Sequence, residues 1–361
     1  MKAAVLYESP GVLVVEDVSV DKPGPNEVLV RVGATGLCHS DLHYMETKRQ
    51  LAGPTVMGHE GAGVVEAVGS DVTYVKPGDH VVGFPTFSCG RCEFCMSGRG
   101  SMCAAGNVLR GGTDKPRLSR PNGDPLSQFI GLSTFAEQML VHEHQTVKID
   151  PAIPFDRAAL VGCGVPTGIG AVIRTAKVPE GATVAVIGCG GIGLNAVQGA
   201  VLACASRIVA IDINDGKLAL ARQFGATDTI NSSTGDAVEQ LHDLIPGQGG
   251  VDYSFEAVGS RHTYELAFAV LRMGGTATAI GVAQGNFELP MYPFLSGKKF
   301  QGSTMGSIDH RRDIPFILDL YMRGQIKLDE LVSDRLTLDR INEGYAEIRN
   351  GSIARSVVVF D

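Results

Sequence analysis

Residues 183–198 read TVAVIGCGGIGLNAVQ. A run of apolar residues that suits a strand is followed at once by Gly188, Gly190 and Gly193, with Gly191 and Ile192 between them, and then by a helix-favouring segment. That order matches a dinucleotide-binding turn. Glycines allow the tight bend and the close approach of backbone to pyrophosphate, and the helix N-terminus beyond them favours negative charge. A second apolar run, RIVAID at 207–212, ends in Asp212, about twenty residues past the last of those glycines. A carboxylate there accepts hydrogen bonds from an adenosine ribose and repels a 2′-phosphate, so NAD is expected rather than NADP. On its own Asp212 would read as a helix cap or a solvated strand end; the coincidence of both halves of the pattern favours the cofactor.

From about residue 165 the chain keeps this texture. Apolar runs (TVAVIG, RIVAID, VDYSFEAVG, TATAIGV) alternate with helical segments (LNAVQGAVLACA, DGKLALARQFGA), which predicts an α/β fold with a doubly wound parallel sheet. Residues 1 to about 150 differ: short β-rich runs such as EVLVRVGATG, GAGVVEAVG and DHVVGFP lie between Gly and Pro turns, the pattern of a small barrel or partly open sheet. The stretch after about 313 holds two helix-like segments and a closing strand.

With 361 residues and 44% hydrophobic content the chain can bury a large core without disulfides. Its net charge of −8 argues against nucleic acid or an anionic membrane as the main partner. No apolar run is long enough for a membrane span and the first residues lack a signal-peptide pattern, so a cytoplasmic protein is expected. In that reducing setting clustered cysteines favour a metal over disulfides.

Residues 89–103, CGRCEFCMSGRGSMC, place Cys89, Cys92, Cys95 and Cys103 at the spacing C-x2-C-x2-C-x7-C. Four thiolates on short glycine-containing loops suit a closed tetrahedral zinc, which leaves no position for substrate. Coincidental thiols are the bland alternative. A zinc-finger nucleic-acid module is disfavoured because no basic recognition helix follows.

Three separated pieces carry the remaining chemistry: GLCHSDLH with Cys38, Ser40, Asp41 and His43; GHEGAG with His59 and Glu60; and LVGCGVPTG with Cys163. Each alone reads as ordinary core or surface. Together they offer two thiolates and an imidazole, a set that leaves a fourth zinc position open. Glu60 beside His59 reads as a supporting or occasional ligand, and Asp41 as an acceptor for the second ring N–H of His59.

These motifs, in this order, resemble the zinc-dependent medium-chain alcohol dehydrogenase family over essentially the whole chain. Alcohol dehydrogenase is itself the standing example of the two-cysteine, one-histidine set, so that match is a comparison and not a separate derivation. The resemblance implies a GroES-like catalytic domain over 1–164, completed by 305–361, around a Rossmann domain over 165–304. It implies catalytic zinc on Cys38, His59 and Cys163, and structural zinc on the four clustered cysteines. By the same resemblance Ser40 and His43 form a proton relay, and His39, Thr167 and Arg355 contact the cofactor. Read by themselves, Ser40 is a turn hydroxyl, His43 an exposed histidine and Arg355 a solvated arginine.

The implied reaction is reversible hydride transfer from a primary alcohol, of medium length or aromatic, to NAD. A thiol-adduct formaldehyde dehydrogenase is the runner-up. A polyol dehydrogenase stands further off, because that branch commonly departs at the third ligand, where this chain has Cys163. A non-catalytic relative that keeps the fold is the rival from another class. The long segment from 104 to 131 is retained in the dimeric branches of the family, so a homodimer is expected. Phe84 and Phe87 are candidate pocket residues, and Glu46, Lys48 and Arg49 lie in the segment that would face a thiol cofactor's carboxylate, without a clear pattern for holding it.

Overall fold

The computed structural model describes residues 1–47, 51–105, 116–351 and 355–361. Lys48, Arg49 and part of the long segment after Cys103 therefore lie outside the described residues. The chain forms two compact units, one of residues 1–163 with 309–361, the other of residues 164–308.

In the 164–308 unit, six parallel strands stand in the order Asp228–Asn231, Arg207–Asp212, Thr183–Ile187, Val251–Glu256, Leu271–Ala279, Lys299–Gly302. The first strand in sequence lies inside the sheet, and successive strands are added to one side and then the other, so the order reverses beside Thr183–Ile187. Ligands of open parallel sheets bind at such a reversal, beyond the carboxyl ends of the strands. Ala185, Ile187, Val209, Ile211, Val251 and Phe268 belong to one buried cluster in this unit. Burial on both faces explains why these strands read as unbroken apolar runs and not as alternating ones.

The other unit is built on antiparallel pairing. The strand Glu27–Gly36 is its spine: it pairs with Glu60–Val68 along most of its length, with Gln138–His142 over its first half and with Arg355–Val359 at its end. Branched side chains such as Val28, Val30, Val32, Val65 and Val81 fill the core there.

The C-terminal stretch holds the two expected helices, His310–Met322 and Ile341–Arg349, and the closing strand Arg355–Val359. It also holds a strand that the sequence pattern does not announce, Val332–Leu336, parallel to Arg355–Val359. Its residues VSDRL alternate between half-buried and exposed, so an edge strand with Asp334 and Arg335 reads as a polar loop.

Candidate functional site

Cys38 is the residue before the helix His39–Glu46, where the spine strand ends and the chain turns. His59 and Glu60 enter at the start of the neighbouring strand, where Gly36 and Glu60 are paired residues. The turn into His59 depends on Gly58, whose φ of +92° is poorly suited to other residues and whose missing side chain leaves room for Phe135. Gly36 likewise leaves room for the Glu60 carboxylate, which a Cβ would meet at 2.4 Å. Cys163 follows the helix Phe155–Leu160. The sulfur of Cys38, a ring nitrogen of His59, a carboxylate oxygen of Glu60 and the sulfur of Cys163 all lie within 4.8 Å of one another, and all four residues are buried.

Behind this group, Asp41 Oδ1 accepts the Gly58 N–H at 3.2 Å and lies 3.1 Å from His59 Nδ1. A proton on Nδ1 directed at Asp41 is the arrangement that would turn Nε2 toward a metal. Burial alone would depress the His59 imidazolium, but the Asp41 charge and hydrogen bond, with Cys38, hold it well above its usual value. The thiols diverge: Cys38 is held well down, first by hydrogen bonding from Cys163, and Cys163 is held well up by the same bond and by burial.

Glu60 is pushed up to about 7, mainly by burial. Its carboxylate accepts Arg355 Nη1 at 3.0 and 3.2 Å, and the same nitrogen donates to Leu37 O at 3.2 Å. Arg355 is thus buried beneath the ligand group and is not the solvated surface arginine that the sequence also allowed. Residues 60 and 355 lie in motifs with no sequence signal that joins them; the pairing becomes visible only when the strands Glu60–Val68 and Arg355–Val359 both flank Glu27–Gly36.

The second cluster, Cys89, Cys92, Cys95 and Cys103, is partly exposed, with its four sulfurs also within 4.8 Å of one another. Backbone amides support it: Cys92 N–H donates to Cys89 Sγ at 3.3 Å and Cys89 N–H to Cys103 Sγ at 3.4 Å. Backbone hydrogen bonding from Cys95 takes Cys92 down to about 6, while burial takes Cys103 up to about 12. Donor chemistry and spacing in both clusters fit zinc, one site closed by four sulfurs, the other buried and mixed.

Ser40 and His43 lie three residues apart on the helix His39–Glu46, both half-buried, on one face; His39 is exposed at the start of that helix. Phe84 follows the strand His80–Gly83. It is fully buried and stacked on His310 with ring centroids 5.0 Å apart, because the helix His310–Met322 packs on that part of the sheet. Phe87 packs on His142 at 5.3 Å. Aromatic surface reaches the ligand group from elsewhere: Phe129 meets His59 edge-on at 5.9 Å, with Tyr44 4.9 Å behind it. Glu46 is engaged by Arg349 at 2.6 Å.

In the 164–308 unit, Gly188 takes φ +89° and Gly193 sits so close to Gly188 O that a Cβ would meet it at 1.7 Å. Gly190, the residue before the twelve-residue helix Gly191–Leu202, faces nothing within 4 Å. An open glycine at a helix N-terminus leaves room for a pyrophosphate. Asp212 closes the strand Arg207–Asp212; its Oδ2 accepts Cys189 N–H at 2.7 Å and its Oδ1 accepts Asn214 N–H at 3.0 Å. It therefore also pins the glycine turn to the neighbouring strand. Thr167 is buried in this unit, its hydroxyl 3.8 Å from the Met305 sulfur.

Residues 24–151 match the family model of an alcohol dehydrogenase GroES-like domain, and residues 191–322 that of a zinc-binding dehydrogenase. The chain is 39% identical to the S-(hydroxymethyl)glutathione dehydrogenase of Saccharomyces cerevisiae, with 99% of this chain and 96% of the relative covered. It is 40% identical to a class-3 alcohol dehydrogenase of Zea mays at the same coverage. Among solved structures, an alcohol dehydrogenase zinc-binding domain protein from Burkholderia ambifaria superposes with a TM-score of 0.94 at 34% identity, covering 100% of this chain and 98% of that one. Benzyl alcohol dehydrogenase from Acinetobacter calcoaceticus does so with 0.91 at 32% identity, covering 100% and 99%.

Proposed function

This chain belongs to the zinc-dependent medium-chain alcohol dehydrogenase family, with zinc and NAD as its cofactors, and on that premise we propose that it oxidises primary alcohols of medium length or aromatic character to aldehydes. The observation that carries the reading is the buried group of Cys38, His59, Glu60 and Cys163 with Asp41 behind the histidine. When bound, zinc supplies a Lewis acid and NAD a hydride acceptor. Cys38, His59 and Cys163 hold the catalytic metal, and Asp41 orients His59. Glu60, neutralised by Arg355, stands by as a supporting ligand. Ser40 and then His43 would carry the proton of the substrate hydroxyl to water.

Gly188, Gly190, Gly191, Ile192 and Gly193 cradle the pyrophosphate in this reading, and Asp212 takes the ribose. His39 and Thr167 are further cofactor contacts. Arg355 joins them only through guanidinium nitrogens other than Nη1, which is committed to Glu60 and Leu37. The clustered cysteines hold the structural zinc. The domain limits are proposed as 1–164 with 305–361 and 165–304, a few residues from the compact units 1–163 with 309–361 and 164–308.

An edge strand, Lys299–Gly302, follows a short helix on which Met291, Tyr292 and Leu295 are strongly exposed, which supports a homodimer. Among the described residues no helix is long and apolar enough to cross a membrane. Eight free cysteines fit the cytoplasm.

The names of the curated relatives favour a second reading, oxidation of the adduct of formaldehyde with a thiol. Such an adduct is itself a primary alcohol, so the chemistry at the metal is unchanged and only recognition of the thiol body differs. Reduction of NAD is to be followed with hexanol, benzyl alcohol, sorbitol, and formaldehyde with and without glutathione. The proposal expects hexanol or benzyl alcohol to give the highest kcat/KM. A rate that needs glutathione and exceeds both alcohols by about tenfold or more moves the conclusion to the second reading. No NADH from any of them refutes both.

A further inference from the structure

Glu256 is a fully buried carboxylate that belongs to neither cysteine cluster nor the glycine turn. It closes the strand Val251–Glu256, which stands beside Thr183–Ile187 at the reversal of strand order. Its Oε1 accepts three hydrogen bonds: from Val258 N–H at 2.8 Å, from Gly259 N–H at 2.7 Å and from the Thr263 hydroxyl at 2.8 Å. Its Oε2 accepts none and is sealed from water. Its main-chain oxygen takes Ile280 N–H at 2.8 Å and Gly281 N–H at 3.0 Å, from the chain that leaves the next strand, Leu271–Ala279. One residue thus holds both segments that emerge at this end of the sheet. The two are in close contact, since a Cβ on Gly281 would collide with Gly259 N and lie 2.8 Å from Glu256 Oε2. The first of them also meets the glycine turn. Ala257 N–H donates to Ile187 O at 2.9 Å, and a Cβ on Gly188 would collide with a methyl of Val258, which is otherwise exposed. Helix capping does not require the carboxylate, because Ser260 and Thr263 already cap the helix Arg261–Ala269 reciprocally. Stability does not favour it either, because a buried carboxylate with one oxygen unpaired is costly.

We propose that Glu256 is a positioning residue for the cofactor, acting through Val258 on the glycine turn. The inference rests on the reading that the turn from Gly188 to Gly193 holds the pyrophosphate. Hydrogen bonds to a charged oxygen are shorter and stronger than neutral ones, so Oε1 fixes the backbone at Val258 and Gly259 more firmly than a neutral acceptor would. That backbone sets the Val258 side chain against Gly188, and the glycine turn then has one rigid wall to rest on. Preorganising the residues behind a binding group in this way lowers the cost of ordering it when the ligand arrives.

The test measures the Kd for NAD by calorimetric titration, and the melting temperature, on the zinc-loaded protein. The chains are wild type, Glu256→Gln, Glu256→Ala, Val258→Ala, the double variant Glu256→Gln with Val258→Ala, and two controls. Asp236→Ala controls for a purely structural role: Asp236 is a carboxylate of the same unit that accepts Val238 N–H at 2.8 Å and Glu239 N–H at 3.0 Å at the start of the helix Ala237–Leu244. It should melt lower than wild type with a Kd within about twofold of it. Glu256→Gln keeps an acceptor and loses the charge, so its Kd should rise by about three- to tenfold, and that of Glu256→Ala by more than about tenfold. The double variant should lose less than the two single changes together, since both act through one side chain. The second control, Gly190→Val, fills the open glycine and should weaken NAD. If it does so while Glu256→Gln binds NAD within about twofold of wild type, the inference alone is overturned. Fully additive losses in the double variant overturn it as well. A Gly190→Val protein that binds NAD as wild type does overturns the glycine-turn reading, and the inference with it.

Discussion

Replacing Asp212 separates two roles that the structure gives to one carboxylate. Its oxygens accept Cys189 N–H at 2.7 Å and Asn214 N–H at 3.0 Å, and Cys189 is 1% exposed. A hydrogen bond to a charged group is worth about 1.5–3 kcal/mol, and a buried donor left without a partner costs about 1–3 kcal/mol. Asp212→Gly therefore should lower the unfolding free energy by about 1–3 kcal/mol before any ligand is considered, since it strands the Cys189 amide. The lost ribose contact is of similar size, so the Kd for NAD should rise by about tenfold to a hundredfold. Removing the negative charge also ends the repulsion of a 2′-phosphate, so NADP should bind more tightly than it does to wild type. Asp212→Asn removes the charge and one of the two acceptor oxygens, and its amide oxygen can still accept the buried Cys189 N–H. It should hold most of the stability and still admit NADP. Titration of each protein with both cofactors, alongside urea unfolding, reads all of these. Wild-type protein that binds NADP as tightly as NAD, or Asp212→Asn as selective as wild type, refutes the reasoning.

Metal analysis should find about two zinc ions per chain. Cys163→Ala should lose one of them and the activity while remaining folded and able to bind NAD, whereas Cys95→Ala should melt lower and aggregate, with activity lost only as the fold is lost. A stable, inactive Cys95→Ala protein contradicts that division. His310 is fully buried, its Nε2 2.9 Å from His144 O, and burial pushes it down from 6.5 to about 4. Because the folded value is depressed, the stability that comes from the neutral ring is complete above pH 6.5 and is lost as pH falls toward 4. Unfolding at pH 7 and pH 4.5 should show wild type losing about 2–3 kcal/mol more than His310→Gln, and equal losses would count against the assignment.

What the sequence makes legible is local. Cys89 to Cys103 span fifteen residues, and Gly188 to Asp212 one turn, one helix and one strand, so chemistry and spacing read together. Parallel strands buried on both faces announce themselves as apolar runs, as RIVAID does. Contacts between distant segments carry no such mark. Nothing in GSIARSVVVF says that Arg355 will meet Glu60, because that depends on two strands flanking a third. The stacking of Phe84 on His310 hides in the same way, because an exposed and a sealed aromatic look alike in sequence. Val332–Leu336 is invisible for the opposite reason: an edge strand keeps its charges and loses the apolar signature.

The pairing of Arg355 with Glu60 and with the Leu37 carbonyl joins residues 295 and 318 positions apart. A ribosome makes Cys38, His59, Glu60 and Cys163 long before it makes the arginine that neutralises Glu60. The segment 164–308, a continuous stretch with its own core, is also made first and needs nothing downstream to close its sheet. Throughout that interval the buried carboxylate lacks its counter-charge and the spine strand lacks the neighbour that carries it, so the metal pocket is completed only after the 164–308 sheet can close.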